Sequence, residues 1–443
     1  MVSFYKPAKK SRKQHTIKTV TVESLDMHGV GVSRSQRPVM FVEGALPGEQ
    51  VQAKVVNSQK QVSKAVTRHV VEASPLRVEP FCQYYGRCGG CQLQHISAQD
   101  ALSERQQAMS DYWAHHLNIT DLPWQPAITG ARPAYRRKAR FAVDARNPKA
   151  LKIGFRQTSS KAIVDIETCP VLEHRLQALM PALRKVLTSF SALQHIGHIQ
   201  ALSGDNVAEF TIKATRDLPA ALRDALVEFA VSEKVNVVIE NAAGEIETLH
   251  REATLICKTH DGFYLTPTPN DFVQVNAQVN EKMVSHALNW LAVNKNDTVA
   301  DWFAGLGNFS LPLSSHASHV YAVEGVAAMV EKGQAAAQQQ GIDNITWQHL
   351  DLSDAGSVKN ALGHGVTKIL LDPSREGAAE VCRQIAQAKT KQVLYVSCNP
   401  NTFTRDARIM LDAGYKIEKI GLIEMFPYTR HLEVMALLSH ATH

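Results

Sequence analysis

Apolar and polar residues alternate with a period of two through TIKTVTVESL, PVMFVEGALPGEQVQAKVV and VSKAVTRHVVE, between residues 16 and 73. That period marks half-buried strands, and Gly29 and Gly31 supply turn chemistry between the runs. Roughly five short strands in so short a span predict a small barrel of the OB kind over residues 16–74. Pro75 and Pro80 then mark a linker, and Ser97 with Asp100 gives the capping signature of a helix running to about Leu117. From about 130 to 262 the periods mix: YRRKARFAV, LKIGFRQ and AEFTIKAT read as strands, RLQALMPALRKVLTSF and AALRDALVEFAV as helices. Beyond that, TVADWF, VYAVEG, ITWQHLD, KILLDP, QVLYVSC and KIEKIGLIE alternate with helical patterns such as AAMVEKGQAAAQQQ and NTFTRDARIMLDAG. Such alternation predicts a doubly wound parallel sheet with its ligands outside the carboxyl ends of the strands. The expected fold is therefore α/β and multidomain. It comprises an arm (1–15), a barrel (16–74), a mixed α+β central domain (75–262) and a Rossmann-like domain (263–443).

Composition narrows the class. The 443 residues are 44% hydrophobic and 20% charged, ordinary values that exclude collagen-like, coiled-coil or wholly disordered chains. The longest uncharged stretch, Val186 to Gly204, is broken by Thr188, Ser189, Gln194, His195 and His198, so no membrane span is expected. The basic start MVSFYKPAKKSRKQH has no apolar core behind it and does not read as a secretory signal, which predicts a cytoplasmic protein. Net charge is only +6, but Lys6, Lys9, Lys10, Arg12, Lys13 and Lys18 meet no acid within residues 1–22. Ten Lys and Arg between Arg132 and Lys161 face Asp144 alone. Local basic surfaces of this kind suit a polyanion such as RNA, and Tyr135, Phe141 and Phe155 interleave the second run as candidates for stacking.

The candidate chemistry lies mostly at predicted strand ends. Asp301-Trp-Phe303-Ala-Gly305-Leu-Gly307-Asn308-Phe-Ser310 forms a strand-to-helix turn, and Glu324 ends the next strand, 19 residues after Gly305, where an acid can hold ribose hydroxyls. A dinucleotide site wants a third glycine where Ser310 stands, so the shorter pattern better suits S-adenosylmethionine, which has no pyrophosphate. Cys398 in Ser-Cys-Asn-Pro follows a strand and precedes a helix amino terminus, which would help lower the pKa of a nucleophilic thiol. Asp372-Pro-Ser-Arg375 ends the preceding strand, and Met425-Phe-Pro-Tyr-Thr-Arg-His-Leu-Glu433 supplies a further carboxylate. Cys82-x5-Cys88-x2-Cys91 is a local three-ligand cluster that Cys169 could close, fitting zinc or an iron–sulfur cluster. Cys257 and Cys382 are expected simply to be packed.

The set FVQVN (272–276), DWFAGLGNFS, DPSR, SCNPNTFTRD and FPYTRHLE resembles the RNA uracil-5-methyltransferase family over most of the last 180 residues. The amino-terminal barrel resembles a TRAM domain. The resemblance implies a class I methyltransferase domain in which Gln274, Phe303, Asn308, Glu324, Asp351 and Asp372 contact S-adenosylmethionine. It makes Cys398 the nucleophile and Glu433 the base, and it implies that Cys82, Cys88, Cys91 and Cys169 hold a [4Fe–4S] cluster of structural role. Barrel and cluster together are similar to the branch acting on 23S ribosomal RNA at the uridine numbered 1939; a tRNA or another ribosomal position is the alternative within the family. Ser374 and Glu424 stand where the family often has Pro and Asp, which bears on any RNA contact by Arg375. Two other classes remain to weigh. A radical S-adenosylmethionine enzyme would leave one iron open, whereas four cysteines close the site. A non-catalytic RNA-binding protein would have no need of Cys398 and Glu433 together.

Overall fold

The computed structural model describes residues 16–147, 150–191, 193–363 and 365–440, so the basic arm over 1–15 and Lys149 lie outside the described residues. The chain divides into two compact units, Met1–Glu79 with His95–Ala108, and Pro80–Gln94 with Met109–His443. Among the described residues no helix is long and apolar enough to cross a membrane.

The first unit is a six-stranded sheet, ordered Ile17–Thr21, Gln50–Ser58, Val62–Glu72, Val39–Glu43, Gly31–Ser33, Ser24–Leu25. Its pairs are antiparallel except Val39–Glu43 with Val62–Glu72. The period-two pattern does what it predicts, because Val20, Met40, Val42, Val51, Ala53 and Ala65 fall on one buried face. One strand more than expected appears, the two-residue Ser24–Leu25. Glu49 is fully buried at the edge of this core. Burial pushes its pKa up, but the Arg77 guanidinium at 2.5 and 2.8 Å and the Leu46 N–H at 2.8 Å prevail and hold it below the ordinary carboxylate value. The helix expected from Ser97 spans Ala98–Leu117, and Ser97 Oγ accepts the Asp100 N–H at 3.0 Å.

The second unit contains two seven-stranded sheets. The central one is ordered Ile246–His250, Asn236–Glu240, Ala208–Ala214, Ile196–Ser203, Lys138–Asp144, Lys152–Arg156, Ile163–Asp165. The helices His174–Thr188 and Ala220–Glu233 bury Leu176, Leu183, Leu222 and Leu226 in the same core as the sheet residues Phe141, Ile199, Phe210 and Ile239. This placement corrects one expectation. Tyr135 and Phe141 are buried, and the half-buried Phe155 stacks on Phe141 at 5.1 Å, so Tyr135 and Phe141 are core rather than stacking platforms. Strand alternation is the reason: if Arg140 faces water, Phe141 must face inward.

The other sheet consists of β1 (Thr298–Trp302), β2 (His319–Glu324), β3 (Ile345–His349), β4 (Lys368–Leu371), β5 (Gln392–Ser397), β6 (Tyr415–Ile423) and β7 (Glu433–His440), in the order β3-β2-β1-β4-β5-β7-β6. The first five are parallel, and β7 and β6 add an antiparallel hairpin at one edge. Helices α1 (Ala277–Leu291), α2 (Ser310–His316), α3 (Ala327–Gln339), α4 (Ala355–Leu362), α5 (Ala379–Ala388) and α6 (Pro400–Asp412) complete the doubly wound pattern. Strand β7 was not legible as a strand, because EVMALLSH is buried on both faces and shows no alternation. The order reverses between β1 and β4, so a crevice opens at the carboxyl ends of β1, β2, β4 and β5, where the motif residues gather.

One packing detail yields a prediction of unusual sign. A Cβ added at Gly333, inside α3, would collide with the ring edge of Trp347 on β3. Gly to Ala in a helix ordinarily stabilises by about 1 kcal/mol. Gly333→Ala is instead expected to destabilise by about 1–3 kcal/mol through overpacking, read as a lower thermal midpoint.

Candidate active site

The glycine turn after β1 bends through positive φ at Phe303 (65°), Gly305 (57°) and Gly307 (95°). At Gly305 nothing lies within 4 Å of a hypothetical Cβ, so that side of the turn is open to a ligand, whereas at Gly307 a Cβ would meet Trp347 at 2.8 Å. Glu324 leaves the end of β2 toward this turn: one carboxylate oxygen accepts the Gly305 N–H and the other the Val326 N–H, both at 3.0 Å. Asn308 exchanges two amide hydrogen bonds of 2.9 Å with Asn280 on α1, which locks the turn to that helix. Gln274, just before α1, is held by its backbone carbonyl, which accepts from Arg137 Nε at 2.8 Å. Arg137 is thus a buried brace for the FVQVN segment and not a surface cation.

Two acceptors in this region have no partner among the described residues: Gln274 Oε1 and one oxygen of the fully buried Asp301. Burial pushes the Asp301 carboxyl up to about 7 although Ser310 Oγ donates to it at 2.5 Å; the neighbouring Asp372 and Glu324 add to the rise. Unpartnered acceptors and acidic groups beside an open glycine turn fit a cationic, donor-rich ligand such as S-adenosylmethionine. Asp351 stands apart. It is exposed, and its carboxylate accepts both the N–H and the hydroxyl of Ser353, at 2.8 and 2.7 Å, so in this structure it shapes the turn after β3.

At the next strand ends the structure brings four groups into mutual electrostatic contact: Cys398 directly after β5, Asp372 after β4, Arg375 in the following loop, and Glu433 at the start of β7. Asn399 fastens the two loops together. Its side chain caps α6 by accepting the Asn401 N–H at 3.1 Å and donates to the Arg375 carbonyl at 2.9 Å. Burial pushes the Cys398 thiol up to about 11, with the Glu433 and Asp372 carboxylates adding and Arg375 opposing. The lowering expected from the helix amino terminus beside it is opposed by desolvation and by two acids. Glu433, only 6% exposed, is pushed up to about 8 by burial and then by Asp372, with Arg375 again opposing. Burial takes Asp372 up to about 7. Burial therefore favours the thiol form of Cys398 and the protonated form of Glu433.

Cys82, Cys88, Cys91 and Cys169 line one cavity of about 330 Å³, together with Arg136, Phe426, Thr429 and His431. Burial pushes Cys91 up to about 12 and Cys169 to about 11; the other three cysteines of the set raise Cys91 further, and Cys82 and Cys88 raise Cys169. Four convergent thiols whose charges repel fit a site for a thiolate-binding cation. Among the described residues, however, no three His, Cys, Asp or Glu side chains already stand in closed metal-ligand geometry. Cys257 and Cys382 are fully buried, as packed residues should be.

Residues 125–441 match the sequence model of the tRNA (uracil-5-)-methyltransferase family. The chain belongs to that family. It is 45% identical to the 23S rRNA (uracil(1939)-C(5))-methyltransferase RlmD of Alteromonas naphthalenivorans and 40% identical to that of Klebsiella pneumoniae, each match covering 99% of both chains. Its fold is similar to that of the Pyrococcus abyssi tRNA (uracil-54, C5)-methyltransferase solved with S-adenosyl-L-homocysteine, with a TM-score of 0.73 over 95% of this chain and 100% of that one at 19% identity. In this uracil-5-methyltransferase, sequence reasoning missed the part played by Asn280 and gave Asp301 no role of its own. Asn280 carried a faint signal, four residues past the FVQVN asparagine on the same helix face. In the sequence Asp301 is simply the start of the glycine motif, and its unpartnered oxygen becomes visible only once burial is known.

Proposed function

We propose that this enzyme transfers the methyl group of S-adenosylmethionine to C5 of one uracil in 23S ribosomal RNA, at the position numbered 1939, using Cys398 and Glu433. The observation that carries the reading is the convergence of Cys398, Glu433, Asp372 and Arg375 beside the open glycine turn, in a chain similar end to end to enzymes of that name. When bound, S-adenosylmethionine supplies an electrophilic methyl group on a sulfonium; Gln274, Phe303, Asn308, Glu324 and Asp372 would hold it, with Asp351 at its outer edge. Cys398, once its proton has passed to solvent, adds as thiolate to uracil C6, which makes C5 the nucleophile that takes the methyl group as the methyl–sulfonium bond breaks. The Glu433 carboxylate then takes the C5 proton, the C5–C6 double bond re-forms, and the C6–S bond breaks to return the thiolate. Arg375 favours the ionised forms of both groups, and Asp372 tempers them.

A pH profile follows from these values. Because Glu433 must be ionised to take the C5 proton and is held up to about 8, release of methylated RNA from the covalent adduct is expected to speed up roughly tenfold for each unit of pH rise below that point. A flat profile between pH 6 and 8 would contradict the assignment.

The uracil must leave its stack to reach the pocket, at a cost of about a few kcal/mol that contacts elsewhere offset. The face of the central sheet opposite its two helices carries Arg140, Arg156 and Lys213, all close enough to His198 to lower its pKa, and we assign it to RNA phosphates. The six-stranded amino-terminal sheet reads as a TRAM-type module adding affinity, and ribosomal RNA as substrate places the protein in the cytoplasm. Cys82, Cys88, Cys91 and Cys169 would hold a [4Fe–4S] cluster that organises this region, since methyl transfer needs no redox step. Brown anaerobic protein with broad visible absorption supports iron–sulfur; colourless protein retaining zinc would replace it. The assignment of function is tested by offering methyl-labelled S-adenosylmethionine with 23S ribosomal RNA and with tRNA. Label in one ribosomal uridine is the expected result, and label in tRNA alone would overturn the choice of substrate.

A further inference from the structure

The turn that delivers Glu433 is held by the cysteine loop. Tyr428 adopts the left-handed backbone region (φ 65°), which a residue with a bulky side chain keeps only under restraint. Its carbonyl accepts two N–H groups, from Gln92 at 2.8 Å and Leu93 at 2.9 Å. Two residues on, the Arg430 N–H donates to Gln92 Oε1 at 3.4 Å, while Gln92 Nε2 donates to the Gly89 carbonyl at 2.6 Å and Tyr85 Oη donates to the Gln92 carbonyl at 2.7 Å. Gln92 therefore bridges the loop carrying Cys88 and Cys91 to a point three residues before Glu433. The same loop is anchored at its far side, where the Gly89 N–H donates to the Arg156 carbonyl at 2.9 Å.

We propose that Gln92 is a positioning residue for the last step of the reaction, fixing the lead-in to β7 and with it the aim of Glu433 at the C5 proton. This rests on the reading of Glu433 as the base. The bridge reaches Glu433 and not the nucleophile, because Cys398 is placed by β5, α6 and the Asn399 contacts to Arg375 and Asn401. Loss of the bridge should thus slow proton removal while leaving thiolate addition and methyl transfer intact. A displacement of about 1 Å in a catalytic group can cost about a hundredfold in rate.

The test is a single-turnover rapid-quench experiment on the loaded holoenzyme with methyl-labelled S-adenosylmethionine and a 23S ribosomal RNA fragment, following label in the protein–RNA adduct and then in free RNA. In Gln92→Ala, adduct formation is expected to stay within about twofold of the parent while release slows by about tenfold or more. Gln92→Glu, which keeps the acceptor for Arg430 but loses the donor to the Gly89 carbonyl, is expected to restore release in part. Tyr428→Gly keeps the left-handed turn but frees it to move, and should also accumulate adduct. Formation and release slowing together, or neither slowing in Gln92→Ala and Tyr428→Gly alike, would overturn the proposal. Glu433→Gln run beside them separates the two readings. If it accumulates adduct and the Gln92 and Tyr428 variants do not, only the positioning fails; if it does not, the assignment of the base fails first.

Discussion

A Cys398→Ala variant is expected to bind S-adenosylmethionine and RNA as the parent does and to methylate at less than about one ten-thousandth of its rate. Uracil C5 is a poor nucleophile, and no other thiol is placed to activate it: Cys382 and Cys257 are fully buried, and the remaining four cysteines line their own cavity. Losing the covalent route removes a whole step rather than one contact, which is why the expected loss exceeds that of any binding residue. Cys398→Ser should be nearly as inactive, since a hydroxyl among Glu433 and Asp372 is far harder to ionise than the thiol already pushed up to about 11. Measured RNA affinity unchanged in both variants would show that the loss is chemical.

Glu433→Gln is expected to reduce turnover by about a thousandfold while leaving the covalent adduct able to form. The amide cannot accept the C5 proton, so methylated RNA should stay attached to the protein and appear as a slowly migrating band under denaturing conditions. Removing this acid also removes one of the influences that hold the Cys398 thiol up, so adduct formation itself should not slow. If turnover fell a thousandfold without any adduct, Glu433 would have to act before or during addition, and the order of steps derived above would be wrong.

Much of this site could be read from residue order alone, and the reasons differ by residue. Gly305, Gly307, Cys398 and Asp372 follow strands whose patterns are clear, and a doubly wound sheet has only one place to put strand-end residues. The six parallel-sheet and hairpin strands from TVADWF to KIEKIGLIE fell where the alternation placed them, while β7 did not, because a strand covered on both faces looks like any apolar run. Charge misled where burial decided the outcome. Arg137 belongs to a basic run in the sequence, yet it is 2% exposed and braces Gln274; Tyr135 and Phe141 look like stacking aromatics and are core. The surroundings of the thiol are hidden for a similar reason: local sequence announces a helix amino terminus, but Glu433 and Asp372 arrive from 35 and 26 residues away. The Gln92 bridge spans 338 residues, and no pattern in the chain could have announced it.

The measurement closest to the centre of this account uses RNA carrying 5-fluorouridine at the target position, incubated with the enzyme and S-adenosylmethionine and then digested for mass spectrometry. With fluorine in place of the C5 hydrogen there is no proton for Glu433 to take, so protein and methylated base should remain joined, and the modified peptide should map to Cys398. A stable adduct on any other residue, or complete turnover of the fluorinated substrate with no adduct at all, would contradict covalent catalysis by Cys398.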